Sequence, residues 1–294
     1  MPDDRCRGHG AFSLIELLVV LGVISLLISI SLPVLSKARC HAEALLSVGN
    51  QRQIVTAVNF FANDNDGRYP ASVATIGTRD NWHWQEPTML TAYCKRSPSA
   101  RRSISAYLRE YIPDASVMRC PSAPRGHKYF QQAWDAGDQW DHPKTAPIPD
   151  PLFGTYCFYW NYKGCLVDSE SVFVGPVGPA WGRRQSRLLV TCYLGYDHWR
   201  SRGAFGSCER FQAAQLTDGS DVSSAYWSLP THCYKTRLKT LTITPHAGYV
   251  DGHVKSFSPR DVAAMKVAIT DDGTKPYPDA TGYGIFLLPM NQGD

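Results

Sequence analysis

The sequence lacks the motifs by which many enzymes and nucleic-acid-binding proteins are recognised. Its 294 residues contain no nucleophile elbow, no phosphate-binding loop and no zinc-binding helix motif. The net charge of +4 is small, and no run of lysine and arginine could follow a phosphate backbone. We therefore expect a protein that is not an enzyme and binds no nucleic acid, cofactor or metal.

The nine cysteines also lack a recognisable arrangement. None stands in C-x-x-C spacing, so neither a zinc knuckle nor a thioredoxin-type site is indicated. In an exported protein the eight that follow Cys6 are candidates for disulfide bonds. Alternatively, several are small buried apolar residues. The sequence leaves both interpretations open.

Charge is almost missing from one long stretch near the N-terminus. Among the 24 residues from Phe12 to Leu35, only Glu16 is charged. As a helix this stretch would be about 36 Å long, enough to cross a hydrocarbon core of about 30 Å. It could be a cleaved secretory signal, a plain single-pass anchor, or an anchor whose leader is cleaved before the apolar run. Flanking charges do not fix its orientation, since basic residues stand on both sides.

Two residues of the stretch are out of place in an ordinary anchor. A carboxylate such as Glu16 costs about 2.5–3.5 kcal/mol at mid-membrane, so it is expected to have a partner. Pro33 removes the backbone donor that would bond the Ser29 carbonyl. The hydroxyls of Ser29 and Ser31 and neighbouring subunits could satisfy the freed groups. Pro33 indicates either a kink or the point where the helix leaves the membrane.

The segment from Ala11 through Phe12-Ser13-Leu14-Ile15-Glu16-Leu17-Leu18-Val19-Val20 resembles the N-terminal signal of type IV pilins and pseudopilins. The resemblance implies that prepilin peptidase cleaves between Ala11 and Phe12 and methylates the Phe12 amine. Glu16 becomes the fifth mature residue and pairs with the N-terminus of a neighbouring subunit. Pro33 becomes the twenty-second, where many pilins have proline. The family usually has glycine at the position of Ala11.

The resemblance also implies partners and a location. The partners are prepilin peptidase, other pilin-like subunits, the type II secretion or type IV pilus machinery, and the inner membrane. The N-terminus is expected in the cytoplasm and the head in the periplasm or in an extracellular filament. The large head favours a minor subunit. The alternative is a membrane-anchored exported module that binds a glycan or surface ligand without polymerising.

The remaining chain predicts an α+β fold. Apolar residues recur at helical spacing beyond Pro33, which predicts one helix over residues 13–62 that ends in the turn-forming run Asn63–Gly67. We expect a leader (1–11), a membrane half-helix (12–35), an amphipathic half-helix (36–62) and a head (63–294). The amphipathic half should pack on an antiparallel sheet with long loops. A helix is predicted near Arg101–Tyr111, and strands over Val172–Val174, Leu188–Leu194 and Leu238–Thr244.

Three groups of head residues have a functional and a plain interpretation. His246, Asp251 and His253 resemble the family's C-terminal His…Asp-Gly element and could bind metal, but Asp251-Gly252 more strongly indicates a hairpin turn. The tryptophans could form a ligand platform, although aromatic residues usually fill the core. An acidic group could bind calcium, although a solvated loop is the default. The tryptophans are Trp82, Trp84, Trp134 and Trp140, and the acidic group consists of Asp135, Asp138 and Asp141.

Overall fold

The structure is a computed structural model, and the chain divides into two compact units, Met1–Ala42 and Glu43–Asp294. It describes residues 13–75, 87–92, 102–123, 130–137, 154–166, 171–180, 184–197, 203–206, 244–258, 261–268 and 285–290.

One continuous helix, α1 (Leu14–Asp64), begins in the first unit and ends in the second. Its bounds agree with the predicted 13–62 to within two residues. The described residues of the first unit are all exposed. In the second unit the helix is amphipathic, and one face enters the core. The buried residues of that face are Ser47, Gln51, Ile54, Val55, Ala57, Val58 and Ala62.

The predicted turn ends α1. The Gly67 N–H donates to the Ala62 carbonyl at 2.8 Å, which closes the last turn of the helix. Asp66 and Gly67 both have positive φ, 51° and 71°. Glycine adopts this left-handed conformation freely and aspartate tolerates it, so the residue types at this point fit the turn.

All strand pairs in the described part of the second unit are antiparallel. The strands are β1 (Thr91–Ala92), β2 (Arg102–Ser103), β3 (Tyr156–Phe158), β4 (Lys163–Leu166), β5 (Val172–Val174), β6 (Leu188–Cys192), β7 (Leu194–Asp197), β8 (Gly203–Gly206), β9 (His246–Tyr249), β10 (Val254–Ser256), β11 (Val262–Ala268) and β12 (Ile285–Pro289). They form the sheets β1-β2, β10-β9-β6-β3 and β5-β4-β11-β12-β7-β8. The expected α+β class is therefore confirmed.

Short helices complete the described part. They are α2 (Ile104–Leu108), α3 (Phe130–Ala136), and 3-10 turns at Val73–Thr75 and Ala115–Met118. Helix α2 lies inside the predicted range and begins where the Ser103 side chain accepts the Ser105 N–H at 3.2 Å, an ordinary N-cap.

The prediction for the strand over residues 188–194 is wrong at its end. The strand stops at Cys192, and the chain passes at Tyr193 from the four-stranded sheet to the six-stranded one. The Tyr193 N–H donates to the Thr155 carbonyl at 3.1 Å at this crossing. Since apolar residues continue across the crossing, the sequence pattern contains no sign of it. Residues 238–243 of the other predicted strand lie outside the described residues.

Aromatic side chains fill the centre of the second unit. Tyr156, Tyr159, Trp160 and Tyr162 are each at most 1% exposed. The Tyr159 ring meets the rings of Tyr162 and Phe173 edge to face, with centroids 5.9 and 5.4 Å apart. Burial raises the pKa of Tyr159 well above its ordinary value. These aromatic residues are thus part of the core on which the head-side half of α1 packs.

Candidate assembly segment

The first part of α1 exposes apolar side chains in every direction. Between Leu14 and Leu35 the exposed fractions of the large apolar residues run from 44% at Ile24 to 82% at Leu14. Water-soluble surfaces rarely expose so large a continuous apolar area. In length and composition α1 is the one helix among the described residues that could cross a membrane. This segment therefore needs lipid or other helices around it.

The carboxylate of Glu16 has a partner within its own chain. The Ser13 backbone N–H donates to Glu16 Oε2 at 2.9 Å. The Ser13 carbonyl in turn accepts the N–H groups of Glu16 and Leu17, at 3.1 and 3.2 Å. A glutamate that reaches back to the N–H three residues earlier is half of a capping box. A negative charge at this end also suits the helix dipole.

The capping role of Glu16 was not predicted, although its signal is visible in the sequence. Ser13 followed by Glu16 is the Ser-x-x-Glu pattern that marks a helix N-terminus. The single bond to Ser13 does not saturate the group, because an ionised carboxylate has about four acceptor positions. A cation from another molecule could therefore still bind Glu16.

Pro33 lies inside α1 without ending it. The hypothesis that nearby serine hydroxyls bond the freed Ser29 carbonyl is wrong, whereas bonding from neighbouring subunits stays a prediction. The Ser29 hydroxyl donates to the Leu26 carbonyl and the Ser31 hydroxyl to the Leu27 carbonyl, each at 2.8 Å. Serine hydroxyls within a helix bond preferentially to carbonyls three or four residues earlier, which explains the difference.

The hairpin predicted at Asp251-Gly252 is present between β9 and β10, but the turn is longer than the predicted two residues because it also includes Val250. The Gly252 N–H donates to the Tyr249 carbonyl at 2.9 Å, and the Tyr249 N–H donates to the His253 carbonyl at 3.0 Å. Asp251 Oδ2 pairs with Arg187 Nη2 at 2.7 Å, and Asp251 Oδ1 pairs with His253 Nδ1 at 2.5 Å. The His253 ring stacks on Tyr249, with centroids 4.4 Å apart. Partial burial raises the pKa of Asp251, but the hydrogen bonds from His253 and the charge of Arg187 outweigh it, so the pKa lies below its ordinary value.

His246 lies apart from that pair, at the start of β9. Burial lowers its pKa, and its Nδ1 is buried without a hydrogen bond. In the part of the chain that the structure describes, no three His, Cys, Asp or Glu side chains gather as metal ligands would. The contacts of Asp251 are thus those that stabilise a turn.

The aromatic and acidic candidates are only partly described. Trp134 is 3% exposed, and its Nε1 donates to the Ile112 carbonyl at 2.8 Å, so this tryptophan belongs to the core. Asp135 is on α3, where Oδ1 accepts from Gln131 at 2.9 Å. Trp82, Trp84, Trp140, Asp138 and Asp141 lie outside the described residues.

Four cysteine side chains are described, and none forms a disulfide bond. Cys120, Cys157 and Cys192 are buried in the second unit, whereas Cys40 is exposed on α1. The three buried thiols fit the interpretation of cysteine as a small core residue. The disulfide prediction stays untested for the other positions.

Comparison with known proteins supports the resemblance of the N-terminal segment to a pilin-type signal. The family described as a prokaryotic N-terminal methylation motif matches residues 6–32. No curated protein and no solved structure matches the chain.

The matched motif and the exposed apolar helix are consistent with a class of protein that is anchored in a membrane by a single span and carries a type IV pilin-like signal. More particularly, the motif supports a pilin-like or pseudopilin precursor, and it implies processing by prepilin peptidase and assembly with pilin-like machinery. It is typical of a structural subunit rather than of an enzyme.

Proposed function

We propose that this protein is a pilin-like minor subunit that is assembled through its N-terminal helix into a type II secretion or type IV pilus-like filament. Prepilin peptidase cleaves between Ala11 and Phe12 and methylates Phe12. The head is exported to the periplasm while the leader stays in the cytoplasm. Neighbouring subunits then surround the apolar helix.

The observation that carries the proposal is one carboxylate at the head of an otherwise apolar, exposed helix. Glu16 stands four residues beyond Phe12 inside the matched motif. When helices bundle, a bare carboxylate becomes very costly in the low dielectric, while a paired one is tolerable. The new amino group of a neighbour's Phe12 supplies the opposite charge. This pairing would set the stagger between subunits, as buried polar residues set register in coiled coils.

The size of the head supports a minor subunit. The second unit runs from Glu43 to Asp294 and contains the described sheets. Heads of this bulk crowd a lattice in which every position is occupied by the same chain. A place at the tip, or at intervals within a filament of smaller subunits, removes this conflict.

Mass spectrometry of the mature N-terminus tests the processing step. We expect a chain that begins at Phe12 and carries one methyl group on its amine. Cells without prepilin peptidase should keep the leader, which serves as the control. A mature chain beginning near Leu32 would indicate an ordinary signal peptide, and an intact Met1 a plain anchor.

Two substitutions at Glu16 separate charge pairing from helix capping. Glutamine can replace glutamate in a capping box, so Glu16→Gln keeps the start of the helix and removes only the charge. Glu16→Ala removes both. We expect both variants to be processed and both to be missing from sheared or co-purified filaments. Normal assembly of Glu16→Gln beside failure of Glu16→Ala would show that capping, and not charge pairing, is the role of Glu16.

A further inference from the structure

The head-side half of α1 contacts β9 and the residue that follows it, Val250, at three regularly spaced places. Each step between contacts is four residues on the helix and two on the strand. The contacts pair Gln51 with His246, Val55 with Gly248, and Asn59 with Val250. We call this set the matched row.

The spacing of the matched row follows from the geometry of the two elements. Four residues of helix rise about 6.0 Å, and two residues of strand advance about 6.6 Å. Over the whole row the two lengths are about 12 and 13 Å. Helix α1 and strand β9 therefore run side by side in the same direction, and each of the three helix residues lies level with its contact partner.

The two ends of the matched row are polar. Gln51 Nε2 donates to the His246 carbonyl at 3.2 Å and also to Cys192 Sγ at 3.3 Å. Asn59 Nδ2 donates to the Val250 carbonyl at 3.1 Å, and Asn59 Oδ1 accepts the Tyr69 hydroxyl at 2.7 Å. The helix amides thus donate to one carbonyl at the start of β9 and to another one residue beyond its end.

The middle of the row is apolar and close. A Cβ on Gly248 would lie 3.0 Å from Val55 Cγ2, tighter than an ordinary contact. The backbone of Gly248 is in register with both β6 and β10. An amide side chain at position 55 of α1 would therefore face a strand whose backbone hydrogen-bonding groups are directed at the neighbouring strands.

Spacing alone does not select this register. After a slide of one step, about 6 Å, the helix and the strand would again be in step. The buried apolar residues of α1 also recur every three or four positions, so a slid helix would still bury apolar surface. The polar ends oppose the slide. A slide of one step would place Gln51 opposite Gly248 and Val55 opposite a carbonyl that needs a hydrogen-bond donor. A buried polar group without a hydrogen bond costs about 1–3 kcal/mol.

We propose that Gln51 and Asn59 are positioning residues that fix the axial register of the head on α1. Burial of the apolar face stabilises the association, and the two amides select one register of it, as a buried asparagine does in a coiled coil. This role goes beyond filament assembly and exists in the isolated subunit.

The test measures register directly in the full chain, purified in detergent. Spin labels attached through non-natural amino acids at Gln53 and Lys255, both exposed, report the distance between α1 and β10 by electron paramagnetic resonance. The native protein should give one narrow distance. Gln51→Leu combined with Asn59→Leu should give a second population, displaced along the helix by about 6 Å.

Val58→Ala is the matched control, because it removes buried apolar atoms and leaves both amides. It should lower the melting temperature yet keep the single native distance. A single native distance in the double leucine variant would overturn the proposal. If the double variant does not fold, Asn59→Leu alone decides, and an unchanged single distance there would overturn it equally. Since no filament is involved, failure of the assembly hypothesis would not affect the result.

Discussion

Gly248 and Gly49 are the same residue type in opposite surroundings. A Cβ on Gly248 would lie 2.9 Å from Val190 Cγ1 and 3.0 Å from Val55 Cγ2, whereas a Cβ on Gly49 would meet nothing within 4 Å. We expect Gly248→Ala to lower the free energy of unfolding by about 1–3 kcal/mol through overpacking. We expect Gly49→Ala, inside α1, to raise it by about 1 kcal/mol through helix propensity. Denaturant unfolding of the two variants measures both changes in the free energy of unfolding. Changes of the same sign would contradict the packing described.

Asp251 makes stability depend on pH. Its pKa is lower in the folded protein than its ordinary value of 3.8, so the unfolded chain binds the proton more tightly. The stabilisation is therefore present above pH 3.8 and is lost as the pH falls through the folded pKa. We expect Asp251→Asn to have a lower melting temperature than the native protein at neutral pH, with the gap closing in acid.

The control for Asp251 is Asp261→Asn, because Asp261 forms no ion pair among the described residues. Its melting temperature should follow that of the native protein at every pH. A gap for Asp251→Asn that does not change with pH would show that the charge of Asp251 is irrelevant, and that only its contacts matter.

At the scale of elements, the sequence predicted what periodicity and turn chemistry determine. The bounds of α1, the strand Val172–Val174 and the Asp251-Gly252 turn follow from such local rules. The break at Tyr193 does not, because it depends on which sheet the next strand joins. The matched row was likewise beyond sequence reasoning, since it pairs residues about 190 positions apart.

The candidate site was predicted in part for the same reason. Ala11, Phe12 and Glu16 were selected from a local pattern that now has a family match over residues 6–32, whereas Pro33 lies one residue beyond that match. The capping contact of Glu16 is also local and could have been found from Ser13. The sequence could not predict which carbonyls the Ser29 and Ser31 hydroxyls bond, because several carbonyls lie within reach of each hydroxyl.

Pro33 should leave one turn of α1 less protected than the rest. It provides no N–H for the Ser29 carbonyl, and the nearby hydroxyls are bonded elsewhere. We expect Pro33→Ala to slow amide hydrogen exchange in the peptide spanning residues 28–36, measured by mass spectrometry in detergent. Leu35→Ala, six residues beyond the affected Ser29 carbonyl, should leave exchange nearly unchanged. Equal protection in the native protein and in Pro33→Ala would contradict this account.

At the scale of the whole molecule, the end of α1 belongs to the core of the head. Ile54, Val55 and Val58 have no exposed surface. A shortened chain that starts at Glu43 keeps these residues, whereas one that starts at Asn63 loses them. We expect the first to be soluble, with cooperative thermal unfolding, and the second to aggregate. Circular dichroism with gel filtration compares them, and a well-folded second chain would show that the helix is dispensable to the core.

The contact between Ser13 and Glu16 has a consequence for subunits that have not yet been recruited. The donor is the N–H of the Phe12–Ser13 peptide bond, which the proposed cleavage on the other side of Phe12 would leave intact. A lone subunit can therefore wait in the bilayer with its carboxylate already engaged. Recruitment then adds an opposite charge to a carboxylate that already holds one hydrogen bond. A reservoir of idle subunits is tolerable on these terms.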